Sequence, residues 1–283
     1  MLPSLNASWT HVRPWWTRIR PTAHYLMETE AHVYALAVSA STLLAFFPFM
    51  MVMLSFCRDF LHSPAALQAI HLAIGDFFAG EPGQFLVRQL QPWMIPKLHW
   101  FSMVLLLFTA NGIFEPLEVA LNRAWGVEKN RSYLKNQLIS LGLIFACGSL
   151  ALLSLMLTAS NTHWIAGLTA SHAKAGLWLK LLAFKLAALP VSMLALFLIY
   201  WLLPNRPVDP RRVAPVAIVV GLLMELLKYI NLLIWPWLSN KLDNEYRAFQ
   251  HSVTILIWSF IVAMVVLGGA HWTARQDRAD PLA

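Results

Sequence analysis

The chain has 283 residues, 58% of them hydrophobic and only 12% charged, about half the charged share of a soluble domain. That composition excludes an ordinary water-soluble domain and describes a chain that lives in lipid. A net charge of +7 would suggest nucleic acid in a soluble protein. Here the cations sit at the ends of apolar stretches, where membrane topology uses them, so no nucleic-acid partner is expected.

Residues 1–30 are basic and aromatic, with Trp9, Arg13, Trp15, Trp16, Arg18 and Arg20. They read as a cytoplasmic interfacial arm, indoles at headgroup level and cations toward anionic lipid. No short apolar core with a cleavage site precedes the first span, so no removable signal peptide is expected. Span one covers 31–56 and contains Pro48, which removes one helical hydrogen bond. Residues 57–97 form the longest loop. Ser63-Pro64 predicts an N-cap followed by proline at the first helical position. Leu67, Ile70, Ile74, Phe77 and Phe78 then recur at helical spacing. Pro82 opens a second short helix with Leu86, Leu90 and Trp93 along one side. Both are amphipathic and are expected on the outer bilayer surface or over the bundle.

The remaining spans are 98–122, 133–159, 175–203 (with Pro190 inside), 213–238 and 250–271. Each reaches the ~20 residues needed to cross a hydrocarbon core of about 30 Å. Tryptophans mark their ends: Trp100 and Trp125 flank span two, Trp178 and Trp201 bracket span four, Trp235 and Trp237 close span five, and Trp272 closes span six. Indoles favour both interfaces, so this is an aromatic belt seen in one dimension. Cys57 and Cys147 fall at different depths, which argues against a bridge between them. The fold class is therefore all-α: a polytopic integral membrane protein, a single membrane domain over 1–283, with six transmembrane helices and amphipathic interfacial helices in the first outer loop.

Orientation follows from the cations. The N-terminus, the 2–3 loop, the 4–5 loop and the tail carry twelve Lys and Arg, and the opposite side carries six. The positive-inside rule then places both termini in the cytoplasm.

Charge inside the hydrocarbon is costly and marks candidate function. Span four holds Lys180 and Lys185, and span five holds Glu225, Lys228 and Asn231. Consecutive antiparallel spans are usually neighbours, so these residues are expected to share one layer in the outer half of the bilayer. A structural account makes them a salt-bridged layer locking two helices, with Lys180 snorkelling to the interface. A functional account uses the surplus of three lysines over one glutamate: uncompensated positive charge in lipid attracts an anion, and a phosphate-bearing lipid supplies one. A third uses Glu225 in an ion or proton pathway. Span two holds Asn111, Glu115 and Glu118 at i, i+4 and i+7 on one face, with Pro116 between the carboxylates. They would bind a cation or relay protons, or else Glu118 is an interfacial group paired with Arg123 or another base of the 2–3 loop.

Ten histidines form no HxH, HExxH or Cys/His pair, so no metal and no cofactor is expected. No nucleophile elbow, phosphate loop or dinucleotide fingerprint is present, and an enzyme is not expected.

Four stretches together carry a resemblance. Leu36-Ala37, Leu43-Leu44 and Phe47-Pro48 lie in span one, and Ala120-Leu121-Asn122-Arg123-Ala124-Trp125-Gly126-Val127 follows span two. Leu203-Pro204-Asn205-Arg206 precedes span five, and Glu225-Leu226-Leu227-Lys228 lies within it. In this order they resemble the BrkB/YihY family of bacterial inner-membrane proteins, from about residue 25 to 274. The resemblance implies six spans, a cytoplasmic (inner) membrane location, and links to envelope integrity and virulence; some members have been suspected of moving anionic lipids. Some also carry a ribonuclease label, which no acidic metal cluster in an aqueous segment of this chain supports. Val38-Ser39 stand where the family often has paired tyrosines. Arg247, Gln250 and His251 replace a glycine-rich approach to span six, and His271 stands where a glutamate often closes it.

The expected function is transport or flipping of an anionic amphipathic molecule such as a phospholipid or lipid-linked precursor. Lys185 and Lys228 would attract the headgroup, Glu225 would gate, and Asn231 and Lys180 would line the path. The partners are then membrane lipids with anionic headgroups. The alternative is a non-transporting scaffold, homo-oligomeric or bound to envelope proteins.

Overall fold

A backbone in lipid has to satisfy its own hydrogen bonds, and a continuous apolar run does so as a helix. The computed structural model describes residues 15–78, 81–90, 100–127, 131–168 and 189–279, and among them there are helices and no strand. The helices are α1 (Trp15–Met27), α2 (Thr29–Ser55), α3 (Pro64–Phe77), α4 (Glu81–Leu90), α5 (Trp100–Ala124) and α6 (Tyr133–Leu168). Then come α7 (Leu189–Leu202), α8 (Pro210–Tyr246) and α9 (Gln250–Ala279). Four stretches among the described residues are long and apolar enough to cross a membrane: Glu30–Asp59, Leu134–Ala151, Pro210–Tyr246 and Gln250–Arg275. Span two is helical as α5, and span four is described only over α7. Lys180 and Lys185 lie outside the described residues, as does Trp93.

Local signals near Ser63 are realised. His62 turns the chain with φ 48°, and Ser63 Oγ accepts from the Ala66 amide at 3.2 Å to start α3. Leu86 and Leu90 of α4 and Ile70 and Ile74 of α3 are buried against Met53, Leu54 and Cys57, with Ile255 of α9 completing the cluster. The two short helices thus cover one end of α2. The larger core lies toward the other end. It joins Ala35 and Val38 of α2, Leu117 and Leu121 of α5, and Leu143 of α6 to Tyr200 of α7, Val216 and Val220 of α8 and Leu267 of α9. Cys57 and Cys147 are both free.

Close helix approach is bought with small residues. A Cβ placed on Gly269 would stand 2.5 Å from Tyr200 Oη and 2.6 Å from Val220 Cγ2. Tyr200 is fully buried and donates to the Val266 carbonyl at 2.8 Å, which fastens α7 to α9. One on Gly221 would meet Met193 Cγ at 2.7 Å.

Two stretches differ from the sequence expectation. Residues 15–27 of the interfacial arm form α1, which docks on α9: Thr22 Oγ1 lies 3.3 Å from His271 Nδ1, and the Tyr25 ring stacks on the His271 imidazole at 4.5 Å. Its packing face was hidden by the density of tryptophans and arginines. The segment between spans five and six is mostly helix. At ~1.5 Å per residue, the 37 residues of α8 extend ~55 Å, well past a core of about 30 Å. Arg247, at φ 43°, then reverses the chain through a single 3₁₀ turn, Arg247–Phe249.

Candidate functional site

Helix α8 starts where Asp209 Oδ1 accepts from the Arg211 amide at 2.9 Å, with Pro210 in its first turn. Fifteen residues on, Glu225 and Lys228 stand one turn apart on one face. Their Oε2 and Nζ meet at 3.0 Å, with 17% and 16% of the side chains exposed. Asn231 follows after a further three residues and is buried. The surface around them is apolar and open: Leu222, Leu226, Tyr229, Ile230 and Leu233 are all exposed. The helix therefore presents one ion pair and one amide among side chains suited to acyl chains. Of the three lysines set against Glu225 by sequence, Lys228 is described, and its charge is matched by Glu225. An ammonium in such a pair can exchange its carboxylate for another oxyanion.

Helix α5 holds the second set. The side chain of Asn111 lies outside the described residues. Glu115 is exposed, while Glu118 is only 4% exposed, so the two carboxylates diverge rather than form one site. Arg123 is not the partner of Glu118: it reaches Glu30 at the start of α2, 2.7 Å away. Glu118 instead accepts from Asn122 Nδ2 at 3.3 Å, and Asn122 Oδ1 accepts from the Asn205 amide at 2.8 Å. The charge of Glu118 also reaches Arg131 of the 2–3 loop, where it opposes the burial that pulls this guanidinium below its ordinary pKa.

Around these residues two loops are knitted together. Pro204 cannot donate a backbone hydrogen bond, so α7 ends there with acceptors to spare. Arg131 supplies the donors. Its guanidinium bonds the carbonyls of Leu202 and Leu203 at 3.3 Å and of Pro204 at 2.6 Å. Arg206 returns the connection: it donates to the Trp125 carbonyl at 3.3 Å, and its guanidinium lies 5.5 Å from the centre of the Trp125 ring. Gly126, at φ +67°, makes the turn after Trp125. The Glu30–Arg123 pair and the α1–α9 contact lie at the same end, so the basic segments of the sequence converge on one end of the bundle.

Ala120–Val127 and Leu203–Arg206, two of the stretches that carry the family resemblance, touch each other through these bonds, a contact that no spacing in the sequence announces. The available signal was an Asn-Arg pair at each of two helix ends, one before glycine and one after proline. Among the described residues no group of three or more His, Cys, Asp or Glu could hold a metal ion.

Comparison with known proteins agrees with this pattern. The family described as virulence factor BrkB matches residues 23–282. The chain is 26% identical over 256 residues to a UPF0761 membrane protein of Legionella pneumophila (strain Corby), covering 89% of this chain and 60% of that protein. It is 29% identical over 203 residues to a UPF0761 membrane protein of Chromobacterium violaceum, covering 70% and 46%. To a UPF0761 membrane protein of Chromohalobacter salexigens it is 29% identical over 281 residues, covering 95% and 67%. The chain thus spans between about half and two thirds of the length of these curated relatives. No solved structure matches. With helices over nearly all its described length and a match reaching from α1 to the C-terminal residues, the chain is a membrane protein belonging to the virulence factor BrkB family.

Proposed function

We propose that the protein is a six-span translocator of an anionic amphipathic molecule, a phospholipid or lipid-linked precursor, in the bacterial cytoplasmic membrane. Both termini and the basic end of the bundle face the cytoplasm. The convergence of α1, the 2–3 loop, the 4–5 loop and the end of α9 supports this orientation, because one physical end then carries the positive charge. The observation that carries the reading is the Glu225–Lys228 pair. It is made within one turn of α8, not between helices. Lys228 can therefore pass its charge to a phosphate, and Glu225 can take it back, within that one turn. The exposed leucines on either side accommodate the tails. Lys185 and Lys180 would extend the path on span four, and Asn231 would serve a headgroup oxygen.

The test is chemical access. Cysteines introduced beside Lys228, in a chain from which Cys57 and Cys147 have been removed, are expected to react with polar thiol reagents added from outside. Complete protection, with Lys228→Met stable and as active in lipid flipping as the parent, overturns the proposal.

A scaffold role is favoured by a different observation, the tight seating of Gly269 on Tyr200 and of Gly221 on Met193. It predicts a closed core and a stoichiometric partner, either a second copy or an envelope protein. Cross-linking in intact cells that traps such a partner at the α8 surface would support it.

A further inference from the structure

Helices α8 and α9 pack against each other as antiparallel neighbours joined by one short turn. Two contacts fix their register. Val220 Cγ2 of α8 stands 2.6 Å from a Cβ placed on Gly269 of α9. Toward the turn, Gln250 Nε2 of α9 donates to the Ser239 carbonyl of α8 at 3.3 Å. Nineteen residues separate the two contacts on each helix, so Pro236 has not shifted one helix against the other.

Asn231 stands eleven residues after Val220, and Trp258 eleven residues before Gly269. At 3.6 residues per turn, eleven residues make three turns and about 20°. The Val220–Gly269 contact therefore repeats as Asn231 opposite Trp258. The remaining eight residues on each side lead to Ser239 and Gln250, which closes the register.

This level is where the interface is least filled. Asn231 is the one polar side chain among the buried residues described on α8. Yet no residue of 222–230 on α8, nor of 256–262 on α9, is fully buried. Asn231 is 2% exposed beside that loosely packed stretch, and the side chain facing it across the interface is the Trp258 indole, itself only partly buried. A ring among such neighbours has room to change rotamer, which a close-packed core would deny it. Lys228 lies one turn before Asn231 on α8.

We propose that Trp258 is the gate of the α8 site: its indole lies over Asn231 at rest and turns aside to admit a headgroup that Lys228 has drawn in. The inference rests on the transport reading and adds an order of contacts to it. The phosphate meets Lys228 first. A hydroxyl or phosphate oxygen then meets the Asn231 amide, which both donates and accepts.

The test uses the full-length chain without Cys57 and Cys147, carrying Asn231→Cys, in lipid nanodiscs. The probe is N-ethylmaleimide, which enters both water and lipid, so the result does not depend on a transport path. With Trp258 in place the thiol at position 231 is expected to react slowly. Trp258→Phe keeps a flat ring and keeps the reaction slow, whereas Trp258→Ala speeds it about tenfold. Ala217→Cys, at a buried position on the same helix, stays protected in all three backgrounds. Equal reactivity at position 231 with Trp258 and with Trp258→Ala overturns the gate. So does a matching rise at position 217, which marks general loosening. In proteoliposomes, Trp258→Ala is expected to speed transfer of fluorescent phosphatidylglycerol. Unchanged or slower transfer by that variant, from a parent that does move the lipid, overturns the gate alone. A parent that moves no lipid overturns the transport reading, and the gate with it.

Discussion

Asn122 is the bond-for-bond centre of the joint at the basic end, and replacing it with alanine tests that joint directly. Its amide is 3% exposed, accepts from the Asn205 N–H at 2.8 Å and donates to Glu118 at 3.3 Å. Asn122→Ala leaves a backbone donor without its acceptor and a buried carboxylate without its neutral donor. An orphaned buried donor costs about 1–3 kcal/mol, and a hydrogen bond to a charged group contributes about 1.5–3 kcal/mol. The bond to Glu118 is long, so the low end applies there and the sum is about 3 kcal/mol. A chain of this size loses roughly 2–4 °C of Tm per kcal/mol, which predicts a fall of roughly 6–12 °C. Thermal unfolding in nanodiscs, followed by tryptophan fluorescence, reads the change, and Trp125 reports from beside the site. Asn122→Asp should fall further, because it sets a second carboxylate one turn from Glu118. An Asn122→Ala protein that melts with the parent would refute the claim that this amide holds the two loops together.

Three further outcomes follow from particular contacts. Gly269→Val places side-chain atoms against Tyr200 and Val220; overpacking of this kind costs about 1–3 kcal/mol, and a lower Tm with the Tyr200–Val266 bond broken is expected by infrared or mutational probing of Tyr200. Arg247 has φ 43°, a conformation that favours glycine, so Arg247→Gly should stabilise the α8–α9 turn by about 1 kcal/mol and raise Tm. Burial holds the His71 imidazole below its ordinary pKa, so the unfolded chain takes up a proton as pH falls through about 6.5 while the folded chain resists it. Stability is therefore full above that pH and declines below it, and His71→Phe should flatten the Tm-against-pH profile between pH 7.5 and 5.

Local chemistry was legible in the sequence. Ser63-Pro64 starts α3 as its spacing said, and the apolar faces of α3 and α4 point where Ile70, Ile74, Leu86 and Leu90 required. The Glu225–Lys228 pair follows from a spacing of three on a helix. What escaped sequence reading depends on residues far apart in the chain. Arg131 and Pro204 are 73 positions apart, and Thr22 and His271 are 249 apart. No periodicity announces such bonds. Of the bases of the 2–3 loop offered for Glu118, Arg123 instead meets Glu30, which helix direction brings to the same end of the bundle, and Arg131 is the one its charge reaches. The helical reach of α8 past Leu238 was hidden by Pro236 and by the polar run from Ser239 to Tyr246, which reads as a loop until its exposed face is allowed for.

The central proposal is that Lys228, set beside Glu225 on α8, receives an anionic headgroup. The most direct measurement is lipid flipping in proteoliposomes, comparing fluorescent phosphatidylglycerol with fluorescent phosphatidylcholine. The parent protein should move the anionic lipid faster than the zwitterionic one, and Lys228→Met should remove that preference while Tm stays within a few degrees. Equal rates for both lipids, or an anionic preference that survives Lys228→Met, would contradict the account.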